Sequence, residues 1–299
     1  MAHMLIRNEY DLDLTMFPSF TSSLFDKVSR NYWIKIHGSF KGLKLKFNGR
    51  FLEANIDNID IINTLSGLWY DPEEHLRRLS RSLRQKVDPI VEVYEKVRLS
   101  INPYDKELVF LATVLSQRTN YHINVVKWVR RIALLMERGM DIRSVNMTSF
   151  GKSYQLRRAN IVVKQCIDLV RLDSALNMED IWKIKRELLK CEFVGPKVAN
   201  AYLMFTRRAP YIAPIDVHFL RFIRNLGLLE FKRKPLKSVC QKYTCSICTF
   251  KHECVEALVM KEFKTLSSWI QTVAYVHDKV YCAKKKCNVC PFKDLCVRL

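Results

Sequence analysis

No run of eighteen apolar residues occurs in the 299-residue chain, which excludes a membrane-spanning helix of ordinary length. A charged-then-apolar leader ending in small residues is also missing, so nothing reads as a secretory signal. The opening Met-Ala-His-Met looks like a tag remnant, with Met4 the natural start. The chain has no long basic amphipathic helix with an aromatic apolar face, which weighs against a membrane-surface protein. Charges are not collected into a tail and no oligomerisation signal is present, so a soluble intracellular monomer is expected. Acidic residues are the scarce charge: 30 Asp+Glu against 50 Lys+Arg leave a net +20. Such an excess suits a polyanionic partner, because each neutralised phosphate releases counterions, although an ordinary basic protein shares the balance. Apolar residues at 48% over this length support two or three packed units that need no staple.

Short β-type runs at 32–36, 43–47 and 51–56 are punctuated by Gly38, Gly42 and the hairpin pair Asn48-Gly49. They predict a small antiparallel sheet. From about residue 58 the apolar spacing becomes helical, with segments at 58–66, 72–84, 88–98, 104–117, 119–138, 154–170, 178–189, 196–205, 216–225 and 255–277. Asn102-Pro103 opens the fourth of these, and Asp105 is placed to favour its N-terminus. The fold class is therefore mainly α with a small N-terminal antiparallel sheet (α+β). The expected division is a β-sheet domain at 1–60, a helical segment at 61–104, a helical domain at 105–208, and a remainder at 209–299 that holds most of the cysteines.

Eight of the ten cysteines form two copies of one pattern, C-x4-C-x2-C-x5-C: Cys240, Cys245, Cys248, Cys254, then Cys282, Cys287, Cys290, Cys296. Four thiolates within fifteen residues converge with little chain entropy to overcome, and thiolates select zinc or an iron–sulfur cluster. Zinc more often uses two distant C-x2-C knuckles, whereas one C-x2-C flanked by longer intervals suits a [4Fe-4S] cluster. The C-terminal tetrad is assigned to such a cluster; the earlier one fits a second cluster, zinc, or a duplicate that serves only folding. Cys166 and Cys191 lie on apolar helical faces and read as core residues.

Residues 189–205 read as two helices joined by a short turn at Val194-Gly195, the second starting at Pro196. A helix N-terminus presents backbone N–H groups that can hold a phosphate, so the hairpin can grip a DNA backbone without reading sequence. Lys197 lies in the first turn, and Asp216 follows at the cap of the next helix. Each has a bland explanation, a solvated lysine and a capping carboxylate; it is their joint occurrence upstream of a cysteine tetrad that points to chemistry.

Segment 193–218, with Val-Gly-Pro-Lys-Val-Ala and Pro-Ile-Asp-Val-His, resembles the helix-hairpin-helix DNA glycosylases, closest to their 8-oxoguanine branch, over about residues 103–296. The terminal tetrad is similar to the cluster loop of endonuclease III, although its first interval is four residues where that group usually has six. The resemblance implies two helical domains flanking a DNA-binding cleft, with C-terminal metal-cluster loops. It also implies base-excision repair of a damaged base, an oxidised purine or pyrimidine, flipped from duplex DNA. Asp216 would stabilise positive character on the sugar, and Lys197 would form a Schiff base that permits β-elimination, making the enzyme a bifunctional glycosylase and lyase. Gln117 in VLSQRTN resembles the residue that fills the gap left by the base, and Tyr154 the wedge beside it. His218 is a candidate donor to a backbone phosphate, and Lys284, Lys285 and Lys286 are charges pinned between two cluster ligands. Arg207, Arg208 and Lys232-Arg233-Lys234 extend this footprint, and Trp269 and Tyr275 are candidates for an aromatic pocket. Two departures matter. Phe193 replaces the hairpin's usual first glycine, and Ala201 replaces the cysteine of 8-oxoguanine enzymes, so neither the hairpin's phosphate contacts nor the lesion follow from the likeness. Alternatives are a water-using glycosylase for mismatched uracil or thymine or an alkylated base, a non-catalytic DNA-binding iron–sulfur protein, and a two-cluster electron carrier that leaves the hairpin unexplained.

Overall fold

The computed structural model describes residues 2–176 and 180–297. Its five-stranded antiparallel sheet has the order β1-β5-β4-β3-β2, from β1 (Ala2–Leu5), β2 (Phe25–Ser29), β3 (Tyr32–Lys35), β4 (Lys44–Phe47) and β5 (Phe51–Ala54). The turn between β4 and β5 is closed by Asn48, whose side-chain oxygen accepts from Arg50 and Phe51 N–H, with Gly49 at φ 97°. Strands β1 and β2 were not expected from sequence, and Ala2, His3 and Met4 pair with β5 rather than hanging free.

Among the described residues there are thirteen α-helices: α1 (Leu12–Met16), α2 (Ile59–Ser66), α3 (Pro72–Leu76), α4 (Arg81–Tyr94), α5 (Lys106–Leu115), α6 (Val126–Glu137), α7 (Tyr154–Leu176), α8 (Ile181–Leu188), α9 (Pro196–Thr206), α10 (Val217–Asn225), α11 (Lys237–Cys240), α12 (Val255–Glu262) and α13 (Ser267–Val280). The start of the segment predicted at 178–189 lies outside the described residues; its described part is α8. The boundary predicted between 84 and 88 is absent. Pro89 sits inside α4, because the buried stripe Leu83, Val87, Ile90, Val91, Tyr94 runs straight through it. The real break is at Ser80, whose hydroxyl caps α4. The helix predicted at 255–277 is likewise split, with a 3-10 turn at Lys264–Leu266 between α12 and α13.

One continuous buried cluster runs from the sheet through α13. Helix α5, buried along its whole length, packs against α7 and α9, while α10 packs against α13. Asp105 stands at the N-cap of α5, where its charge was expected, but makes no capping hydrogen bond. Its carboxylate instead takes Lys35 Nζ at 2.6 Å, Ser39 N–H at 2.6 Å and Asn102 Nδ2 at 2.8 Å, tying the sheet to the helices. A β-carbon on Gly38 would lie 2.3 Å from that carboxylate, and Gly38 has φ 75°, so this approach requires glycine.

Candidate active site and cysteine centres

Helix α9 enters through Gly195 and carries Pro196 at its first position. Pro lacks an N–H and its φ is already helical, so the start is sharp and the first turn is fixed. Lys197 therefore projects from a rigid place into a cavity of about 90 Å³. Asp216, the N-cap of α10, lines the same cavity: one oxygen accepts from Phe219 N–H at 2.8 Å, and the other faces Gln271 Nε2 at 3.4 Å. The two residues, nineteen positions apart in sequence, are thus brought to one wall by two consecutive helix starts. Its polar lining also includes His218, Gln271, Tyr275 and Lys279, and its apolar side Phe20, Phe205 and Ala201.

His218 is no free surface histidine. Its Nδ1 meets the Asp278 carboxylate at 2.6 Å, and its ring packs edge-on to Tyr275 at 5.0 Å. Asp278 also takes Arg221 at 2.6 Å. Burial alone would raise the Asp278 carboxyl, but the hydrogen bonds from His218 and Arg221 hold it below the usual carboxylate range. Burial also pushes the Tyr275 hydroxyl well above its ordinary value, so it stays protonated. Behind Tyr275, Phe17 stacks on His122 at 4.5 Å, and beyond them opens a groove of about 500 Å³. The charges there are taken up by Lys27–Asp13 and Arg130–Asp26 pairs.

Gln117, Tyr154 and the hairpin meet at a second place. Gln117 Nε2 reaches Phe193 O at 3.4 Å, and Tyr154 Oη reaches Gln117 O at 3.3 Å. Arg158 lies between the Tyr154 ring at 5.0 Å and the Phe193 ring at 4.7 Å. Phe193 has φ 57°, the left-handed conformation that glycine would adopt freely, so the turn keeps its shape at a strain cost. Val194 is fully buried, main chain included, so of the two turn residues only Gly195 has exposed surface. Lys284, Lys285 and Lys286 are exposed.

Several sequence-predicted residues are used elsewhere. Trp269 is a core residue whose Nε1 donates to Val97 O at 2.9 Å. Arg207 pairs with buried Asp173, while Arg208 with Asp60 and Thr64 and Arg233 with Glu253 form exposed pairs. Cys166 and Cys191 are buried as expected but are paired with each other as a disulfide. Gln271, Lys279 and Arg158 were missed. Only Gln271 left a signal, a lone amide in an otherwise buried helix, four residues before Tyr275.

All eight tetrad cysteines are free thiols. Cys282, Cys287, Cys290 and Cys296 line one cavity of about 150 Å³, walled by Phe222, His277 and Phe292. Cys240, Cys245, Cys248 and Cys254 line another of about 20 Å³. Among the described residues no three His, Cys, Asp or Glu side chains converge as a single bound ion would require.

No protein-family model and no curated protein matches the sequence. Solved structures do match. The chain has the fold of the 8-oxoguanine glycosylase/lyases, mostly helical with a small N-terminal antiparallel sheet. The Clostridium acetobutylicum 8-oxoguanine glycosylase/lyase, in complex with double-stranded DNA containing cytosine opposite 8-oxoguanine, superposes with a TM-score of 0.60 at 15% identity, over 94% of this chain and 98% of that one. Its DNA-free form gives 0.58 at 15% identity, over 92% and 99%. MBOgg1 in complex with a low-affinity DNA ligand gives 0.59 at 14% identity, over 92% and 97%. No helix among the described residues is long and apolar enough to cross a membrane.

Proposed function

We propose that the chain is a bifunctional DNA glycosylase and lyase that removes an oxidised purine from duplex DNA. The supporting observation is that Lys197 and Asp216, from the starts of two different helices, line one small cavity with an aromatic ring and a buried amide. A base must leave the duplex to enter such a cavity, and a flipped base is held by stacking and by hydrogen bonds to its edge. Tyr275 and Gln271 supply those two functions. As the bond from C1′ to the base breaks, the base carries away the electron pair, and the Asp216 carboxylate faces the positive charge left on the sugar. Lys197 Nζ, once neutral, attacks C1′ and forms an imine with the opened sugar; loss of a C2′ proton then expels the 3′ phosphate. His218, held by Asp278, and the hairpin at Gly195, with Val194 buried beneath it, grip the backbone. Gln117 and Tyr154, beside Arg158, occupy the gap. The fold shared with 8-oxoguanine glycosylase/lyases makes an oxidised purine the first lesion to test.

Cys282, Cys287, Cys290 and Cys296 would hold a [4Fe-4S] cluster. Bound there, the cluster would supply a rigid scaffold rather than redox chemistry on the base. Its role is to fix the loop of Lys284, Lys285 and Lys286 against DNA.

Borohydride trapping on duplexes bearing 8-oxoguanine, thymine glycol or uracil tests the reading. A covalent protein–DNA band is expected with 8-oxoguanine and none with Lys197→Gln. Asp216→Asn should slow base release on the order of 100-fold or more while DNA still binds. No band with any lesion or with an abasic site, despite DNA binding, would leave a water-using glycosylase or a binding protein.

A further inference from the structure

The inserted segment at 232–254 has little to hold its shape. From Gln241 to Glu253, all described, no residue is buried, so the segment has no apolar core of its own. Its ends are stitched together: Lys232 and Arg233 N–H both donate to Glu253 O at 3.0 Å, and Val255 N–H donates to Arg233 O at 2.9 Å. Between them the four thiols of Cys240, Cys245, Cys248 and Cys254 line one cavity. Glu256 borders that cavity and pairs with Lys185 of α8, both almost fully buried. Among the described residues Glu256 Oε2 has no hydrogen-bond partner, and its Oε1 lies 3.8 Å from Cys245 Sγ.

The same segment reaches the hairpin. Lys237 Nζ donates to Cys191 O at 2.6 Å, and Gln241 Nε2 donates to Leu189 O at 2.6 Å. These two carbonyls lie where the chain leaves α8 and turns towards Gly195 and Lys197. On the opposite side the hairpin is held by α7, through Glu192 N–H to Gln165 Oε1 at 2.8 Å. The cavity of the C-terminal tetrad, by contrast, is walled by residues of α10 and α13, among them Arg221, Phe222 and His277.

We infer that Cys240, Cys245, Cys248 and Cys254 bind a second four-thiolate metal centre, which braces the DNA-gripping hairpin through Lys237 and Gln241. A segment without a core takes its order from metal ligation, so the binding free energy of the metal becomes the folding free energy of the loop. Soft thiolates accept either zinc or iron with sulfide. The inference rests on the hairpin gripping DNA, as proposed above.

Iron, acid-labile sulfide and zinc are to be counted per chain in the full-length protein, in Cys245→Ser/Cys248→Ser and in Cys287→Ser/Cys290→Ser. Each double variant should lose one centre and keep the other, and the metal lost from the first names the chemistry. Hydrogen exchange at 189–195, read without DNA, should quicken in the first variant and not in the second. Should the cysteine variant fail to fold, Lys237→Ala/Gln241→Ala carries the test. It should keep its metal, exchange faster at 189–195, and bind a duplex with a stable abasic analogue more weakly than the unaltered protein does. Unchanged metal content in Cys245→Ser/Cys248→Ser, or unchanged exchange at 189–195 once the two clamps are cut, overturns the inference. If the hairpin loosens as expected but the unaltered protein binds no lesion or abasic duplex, the brace stands and the DNA-repair function falls.

Discussion

Asp278 shows how one buried carboxylate serves the site without touching a reacting atom. It is 1% exposed and receives both His218 and Arg221, so it sets the direction of the His218 ring towards the cavity. Its carboxyl is held below the ordinary value, so the native state keeps the charged form to lower pH than the unfolded chain does. The stability this contributes is complete above the unfolded value of about 3.9 and is lost as pH falls through the folded one. Urea midpoints of Asp278→Asn should therefore lie below those of the unaltered protein at neutral pH, and the gap should narrow near pH 3. A gap that stays constant with pH would contradict the assignment. Phe193 is the other instructive residue: it accepts a left-handed backbone so that its ring can cover Arg158, which a glycine cannot do.

At the scale of elements, the helix carrying Lys197 is held from beneath by a buried ionic hub. Asp173 of α7 accepts from Tyr202 of α9 at 2.6 Å, meets Lys106 of α5 at 3.1 Å, and pairs with Arg207 just past the end of α9. Replacing such a hub outright with apolar residues can be harmless, but removing one member leaves uncompensated buried charge. Asp173→Ala is expected to cost about 3–5 kcal/mol in chemical unfolding. A loss under about 1 kcal/mol would mean that the two cations find solvent, as exposed pairs do. The sheet is joined to the helices by the same device, Lys35 with Asp105, and there the fit depends on Gly38 having no side chain.

For the whole molecule the surplus of positive charge makes a quantitative demand. Many cations are paired within the chain, as Arg171 with Glu107 and Asp141 illustrates, but the net +20 remains after every such pair and must face outward. If six to ten phosphates are neutralised on binding, raising salt from about 50 to 200 mM should weaken duplex affinity by roughly 10³–10⁵. A flat salt profile would mean that the basic surface is not the DNA footprint. Because Arg207, Arg208 and Arg233 are already paired, removing any of them should change the salt slope less than removing Lys284, Lys285 and Lys286 together.

Local pattern alone determined the helical character, the central strands, the two cysteine tetrads and the helix starts at Pro196 and Asp216. Each rests on spacing or capping that acts within a few residues. The two strands that went unrecognised, β1 and β2, are the two edges of the sheet. In β2 only Phe25 is buried, so the alternation that marks a half-buried strand never develops. Pro89 misled for the complementary reason: a local rule that ends helices was overridden by a stripe of buried side chains on both sides of it. Only the tertiary structure decided which cations remain free. It also brought Gln271 and Tyr275 to the wall shared by Lys197 and Asp216, and laid the inserted cysteine segment against the hairpin. Those are contacts between residues tens of positions apart, and their energies arise from burial and pairing that no stretch of sequence contains by itself.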